Sequence, residues 1–346
     1  MGDGERDEQA VEAAGPAPPG RKSPGGKSRR RRRLMIAAGI VVAAVVALAF
    51  ALRTPSPVGH WRSAEGQAHF MAAYTEAMRD MPRPAATVDV RTDFGFVRVY
   101  RYEGAPGRAE PLVLLPGRAS ATPVWADNMP SLLRIGDVYT LDLLGEPGES
   151  VQEVPITSAA DQAEWLDQVL ARLPEKSFHV VGLSIGGWTA ANLAVHRPGH
   201  VATLTLIDPV YTFSGIPLGT AVRAIPASVP WLPKSWRDSF NSYTAGGAPV
   251  EDVPVADMIE SGMKNYALHL PQPSLLGERP LRRLTMPVLA ILAGKSVMHD
   301  VGASRAVAGR AFRNGTVKVY PDASHAINGE YPDKVAADIA AFVGAR

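Results

Sequence analysis

Cysteine is absent from this 346-residue chain, which excludes disulfides, thiolate metal sites, cysteine nucleophiles and a lipoprotein-type cysteine anchor. A charge surplus on the body is absent too. Residues 1–33 hold nine Lys/Arg and five Asp/Glu, leaving 27 basic and 29 acidic residues for the remainder. Nothing in that near-neutral balance points to a nucleic-acid partner. Internal repeats are also missing, so the length describes one large domain with an N-terminal extension rather than an array. Apolar residues make up 46% and charged residues 20% of the chain, an ordinary globular balance with enough material for a sizeable core.

What is present changes along the chain. Residues 1–28 are rich in Gly, Pro, Ala, Ser and charge, and such segments bury too little apolar surface to order themselves. Residues 1–33 therefore read as a disordered basic tail, placed in the cytoplasm by its arginines. Arg29 to Arg33 precede Leu34 to Leu52, a run of 19 residues without a charge that Arg53, Pro55 and Pro57 close. That length predicts a transmembrane helix acting as a signal anchor, with the basic flank inside and the body outside the cell membrane. A cleaved secretory signal is the alternative, because Ala49-Phe50-Ala51 resembles a small-x-small cleavage site.

Residues 53–86 read as a linker and an amphipathic helix over 61–81, with Phe70, Tyr74, Ala77 and Met81 on one stripe before Pro82. A hairpin follows, Thr87 to Arg91 and Phe96 to Tyr102 about a turn at Asp93-Phe94-Gly95. Beyond it, short apolar runs alternate with helical stretches: Leu112 to Leu115, Val138 to Leu141, His179 to Leu183, Leu204 to Ile207, Val288 to Leu292 and Val317 to Tyr320. Wholly apolar strands separated by helices predict an α/β fold, a mostly parallel central sheet covered by helices on both faces. Ser158-x-x-Asp161 predicts a capped helix start, and Pro332 opens a last helix carrying Val335, Ile339 and Phe342. The segment from about 210 to 283 breaks this rhythm with Trp231, Pro233 and Trp236 and no clear buried strand. It is expected to be a helical lid inserted over a site.

The most informative residues are Gly182-Leu183-Ser184-Ile185-Gly186-Gly187, directly after one apolar strand and directly before a helical stretch. This is a Gly-x-Ser-x-Gly elbow in strand-turn-helix context, which presents a serine hydroxyl at a tight turn beside a helix N-terminus. A nucleotide-binding glycine fingerprint or phosphate-loop lysine is not found there. A serine needs a base, and among eight histidines His325 combines a position after the strand ending at Tyr320 with one before the terminal helix. His299 is the alternative, while His196 and His200 about Pro198 do not form a metal pair. The acid is expected after the strand Val288 to Leu292, where Asp300 is the carboxylate of the loop; Asp208, ending the preceding strand, is the alternative acid. Backbone N–H groups of Arg118 and Ile185 are the candidate oxyanion donors.

Across residues 87–346 the chain resembles the α/β-hydrolase family, and within it bacterial carboxylesterase-like serine hydrolases. The resemblance rests on Leu114-Leu115-Pro116-Gly117-Arg118, Asp142 to Ser150, Gly182 to Trp188, Leu206-Ile207-Asp208-Pro209 and Ala323-Ser324-His325. It implies hydrolysis of a small-molecule carboxylic ester through an acyl-enzyme, with a Ser184, Asp300 and His325 triad and neither cofactor nor metal. Other acyl chemistry on the same triad (amidase, lactonase, thioesterase, acyltransferase, cofactor-free haloperoxidase) and a non-catalytic interaction protein on this scaffold are the alternatives. Two departures from the family pattern stand out. Pro116-Gly117 replaces the usual His-Gly, and the common Gly-x-x-Asp spacing would place the acid at Val297.

Overall fold

A computed structural model describes residues 31–32, 35–43, 45, 56–107 and 110–344. The chain divides into two units, residues 1–55 and 56–346. In the first, residues 31–32, 35–43 and 45 are helical and exposed. The transmembrane helix expected over 34–52 is not supported: among the described residues no helix is long and apolar enough to cross a membrane. Residues 34, 44 and 46–52 of that expected span, and residues 1–30 and 33 of the expected tail, lie outside the described residues.

The second unit is built on a nine-stranded mixed sheet. In chain order the strands are β1 (His60–Trp61), β2 (Ala86–Thr92), β3 (Gly95–Tyr102), β4 (Leu112–Leu115), β5 (Val138–Leu141), β6 (Val151–Gln152), β7 (Phe178–Leu183), β8 (Val201–Ile207), β9 (Tyr266–Ala267), β10 (Val288–Ala293) and β11 (Gly315–Tyr320). The sheet order is β11-β10-β8-β7-β4-β5-β3-β2, with β6 also on β3, while β1 and β9 form a separate antiparallel ribbon. From β5 through β11 the neighbours run parallel; β2, β3 and β6 pair antiparallel.

Parallel strands buried on both faces explain the unbroken apolar runs. Along β4, Val113 and Leu115 join one core cluster with Trp165, Leu166 and Trp188, whereas Leu112 and Leu114 join the opposite one with Ile339 and Phe342. This is the two-residue alternation of a strand delivering apolar side chains to both layers.

Eight helices longer than one turn matter here: α1 (Ala64–Ala77), α2 (Ala159–Leu170), α3 (Ile185–His196), α4 (Leu218–Ala227), α5 (Lys234–Thr244), α6 (Pro254–Asn265), α7 (Val301–Ala311) and α8 (Pro332–Gly344). Ser63 caps α1 by accepting the Gly66 N–H, and the helix buries Phe70, Ala73, Tyr74 and Ala77. It stops four residues short of the expected Met81, which is nonetheless buried. Ser158 and Asp161 form a reciprocal capping box on α2.

Between β8 and β10 the inserted segment folds into α4, α5 and α6. Arg237 of α5 donates from Nε to Glu260 of α6 at 2.6 Å, and from Nη1 to the Leu232 carbonyl at 3.0 Å. Both charged side chains are buried, at 2% and 6% exposure, so neither can fall back on water if its partner is removed. Arg237→Ala is expected to lower stability by about 3–5 kcal/mol. Paired substitution of Arg237 by Met and Glu260 by Leu should recover most of that loss. Urea unfolding of the three proteins checks this, and an unchanged midpoint for Arg237→Ala would show the pair to be dispensable.

Candidate active site

Ser184 directly follows β7 and precedes α3, with φ 55° and ψ −116°. Such a backbone costs an L-residue about 1–3 kcal/mol and persists only where the surroundings impose it. The surroundings here are carbonyl oxygens. A Cβ on Gly182 would run into the Gly186 carbonyl, and one on Gly186 into the carbonyls of Leu115 and Pro116. Glycine at both positions is what allows the turn to close against β4.

His325 lies beyond β11, in a loop held from two sides. Its backbone N–H donates to the carbonyl of Thr244 in α5 at 3.1 Å. The N–H and hydroxyl of the neighbouring Ser324 donate to Glu330 at 2.8 and 2.6 Å. So placed, the His325 ring bridges two groups distant in sequence: Nε2 is 2.8 Å from Ser184 Oγ, and Nδ1 is 2.6 Å from Asp208 Oδ2.

Asp300 is not part of this constellation. Its carboxylate is exposed and caps α7, Oδ1 accepting the Ala303 N–H at 2.8 Å. The loop after β10 turns His299 inward and Asp300 outward, so the carboxylate facing His325 comes from the end of β8. Asp208, the alternative acid from the sequence, has a fully buried side chain. Oδ1 accepts from the Ala293 N–H at 2.8 Å and from His299 Nε2 at 2.7 Å, while Oδ2 accepts from Ser296 Oγ at 2.7 Å and from His325. Asp208 also carries a positive φ of 41°, which aspartate tolerates better than most residues.

Electrostatics agree with this geometry. Burial alone would push the Asp208 carboxyl upward, but hydrogen bonds and charge from His299 and His325 outweigh it and hold the group well below the usual carboxylate range. Asp208 is therefore an anion throughout the neutral range, an acceptor that fixes Nδ1 of His325 as the donor. The other ring nitrogen is left to take the serine proton.

The loop after β4 flanks Ser184. A Cβ added to Gly117 would sit 3.7 Å from that of Ser184. The next residue, Arg118, directs its side chain away to Glu146, with Nη1 3.3 Å from Oε1 of this buried carboxylate. Glu146 in turn accepts the Ala119 N–H at 3.1 Å, bracing the loop. A small cavity lined by Arg118, Leu144, Ile185, Trp188, Thr189 and Leu270 lies beside these residues. Sequence reasoning missed the bracing by Glu146 and the cluster of Ser296 and His299 about Asp208. The signal for the latter was the valine at 297, where the common spacing expects the acid.

Ser184 directly follows β7, Asp208 directly follows β8, His325 follows β11 and Arg118 follows β4, so all four converge at the carboxyl ends of parallel strands, where open α/β sheets place their sites. The profile of the α/β-hydrolase fold family matches residues 110–247. An uncharacterized carboxylesterase, nap, of Bacillus subtilis (strain 168) is 23% identical over 290 residues, 80% of this chain and 92% of that protein. Among solved structures, carboxylesterase CesB (YbfK) from Bacillus subtilis superposes with a TM-score of 0.74 at 20% identity, covering 82% of this chain and all of that one. Naproxen esterase from the same species gives 0.74 at 21% identity, covering 81% and 99%. The chain therefore has the α/β-hydrolase fold and is similar to bacterial carboxylesterases.

The two aspartates are expected to separate cleanly on mutation. Asp300→Ala should remove an N-cap and cost about 1 kcal/mol in thermal or urea unfolding while leaving ester turnover within about twofold. Asp208→Asn should lower kcat by roughly 10⁴, the scale at which loss of the orienting carboxylate acts. The reverse ranking in a p-nitrophenyl ester assay would return the acid to Asp300.

Proposed function

We propose that the protein is a serine esterase working through Ser184, His325 and Asp208. The observation that carries this reading is the continuous hydrogen-bonded line from Ser184 Oγ through both nitrogens of His325 to Asp208, at 2.8 and 2.6 Å. Few arrangements other than nucleophilic catalysis require a strained serine, a histidine and a buried carboxylate in that order.

In this mechanism Ser184 Oγ attacks the acyl carbonyl carbon of the ester while its proton passes to Nε2 of His325. The carbonyl oxygen becomes an oxyanion, received by the backbone N–H groups of Arg118 and of Ile185 at the start of α3. His325 then returns the proton to the leaving alkoxide, the carbon–oxygen bond of the ester breaks, and an acyl-serine remains. Water attacks the acyl-serine, its proton goes to Nε2, and the collapse of the second tetrahedral adduct returns a proton to Ser184 and frees the acid. Asp208 keeps its negative charge throughout and stabilises the transient imidazolium.

The inserted helices serve as the lid over this site. They are tied to it at the Thr244 carbonyl, which accepts the His325 N–H, and at Thr220 of α4, whose hydroxyl donates to the Val297 carbonyl at 2.5 Å. The small cavity beside Ile185, walled by Leu144, Trp188 and Leu270, suits a short apolar acyl group.

Ser184→Ala is expected to abolish turnover of p-nitrophenyl acetate and butyrate, a loss on the order of 10⁶ in kcat, and to abolish labelling by a fluorophosphonate probe. Acetate and butyrate esters should be cleaved faster than laurate or palmitate esters. Wild-type rates in Ser184→Ala would end the proposal, and preference for the long chains would overturn the assignment of the acyl pocket.

A further inference from the structure

Ester hydrolysis as proposed above uses one imidazole, yet two meet at Asp208. His299 Nε2 lies 2.7 Å from Oδ1, on the opposite oxygen from His325, and the His299 side chain is 1% exposed. An ionised carboxylate only accepts hydrogen bonds, so both histidines must present an N–H to it. For His325 this leaves Nε2 free to accept from Ser184. For His299 the second nitrogen, Nδ1, is buried and meets no side-chain partner. A neutral donor such as serine, asparagine or water could fill one acceptor site on Asp208 without that cost. A buried imidazole is an expensive way to satisfy one lone pair, unless its charge or its rigid ring matters.

We infer that His299 is a positioning residue of the triad, clamping Asp208 from the side opposite His325 and sharing the negative charge of the carboxylate between two rings. This inference rests on the triad reading of Ser184, His325 and Asp208. Three of the four donors to Asp208, from Ala293, Ser296 and His299, belong to the end of β10 and the loop after it. The carboxylate thus stands on β8, while the shell that holds it comes from the neighbouring strand. The torsional freedom of Asp208 about its own side chain is removed by contacts to both oxygens, which fixes the plane that His325 must share.

The charged and titratable groups facing His299 are Asp208 from the end of β8 and Asp300 on its own loop; His325, beyond β11, faces the far side of the same carboxylate. Burial disfavours a charge on His299, but its hydrogen bond to the Asp208 carboxylate, the Asp208 charge, a hydrogen bond to the Asp300 backbone and the Asp300 charge together outweigh burial and hold its pKa above the ordinary value. When it carries a proton on both nitrogens, His299 offsets part of the Asp208 charge felt at His325. The sign of the effect follows. Without that cation the full carboxylate charge favours protonated His325, which cannot act as base, so the acid limb of kcat/KM must move to higher pH.

Three variants read this out: His299→Leu removes both donor and charge, His299→Gln keeps an N–H donor without the charge, and Asp208→Asn tests the underlying triad. With p-nitrophenyl butyrate from pH 5 to 9, His299→Leu should lower kcat by roughly 10², the cost of about 1 Å of misplacement, with KM unchanged. His299→Gln should recover most of kcat. In both, the acid limb should lie about one pH unit higher than in the wild type, a typical displacement for one lost charge nearby. Should His299→Leu fail to fold, the limb of His299→Gln decides alone. An unmoved limb overturns the inference, whether kcat is retained or falls, because a purely structural role changes kcat without changing the charge. Wild-type activity in Asp208→Asn would instead refute the triad reading, whereas an inactive Asp208→Asn beside an unmoved limb refutes only the role of His299.

Discussion

A carboxylate taken wholly out of water must be given back its hydrogen bonds, and the site is organised around meeting that demand for Asp208. Both oxygens are doubly satisfied, by a backbone amide, a hydroxyl and two imidazoles. The cost of burying the charge is large when unpaired and falls only with complete, well-aligned partners. Once those partners are in place the group is also locked, and a locked acceptor gives His325 a defined tautomer and orientation. Function therefore hangs on the same contacts that make the burial tolerable.

The sheet supplies the geometry for this arrangement. Parallel neighbours β4, β7, β8, β10 and β11 bring their carboxyl ends to one edge, so loops separated by more than a hundred residues become adjacent. Close packing at the elbow completes it. Gly182 and Gly186 let the turn approach the end of β4 closely enough that Gly117 comes near Ser184, bringing the loop that carries the Arg118 amide beside it. Backbone strain at Ser184 and at Asp208 is concentrated where function needs side chains aimed at a common point, as is usual for such sites.

Much of the fold was legible because it depends on local pattern. The runs Leu112 to Leu115 and Val138 to Leu141 coincide with β4 and β5, and β2, β3, β7, β8, β10 and β11 extend their expected runs by one to three residues, while the two-residue strands β1, β6 and β9 had no expected run. The Ser158 and Asp161 cap also lies where its motif placed it. The insertion between β8 and β10 was expected to be helical from its break in rhythm, but the buried Arg237 and Glu260 pair that joins two of its helices was not anticipated. At 34–52 the expected membrane span is not supported, since among the described residues no helix is long and apolar enough to cross a membrane.

By itself the sequence determined the elbow at Ser184 and the loop position of His325, since these follow from steric rules among residues close in the chain. For the acid it favoured Asp300 over Asp208, because each follows a strand at a plausible place in the order and the loop after the later strand is the commoner position. Only the tertiary structure decided, by turning His299 rather than Asp300 toward the interior and by lending Asp208 donors from a neighbouring strand. Which way a loop side chain faces is set by packing among distant segments, and that information is written in no short stretch of residues.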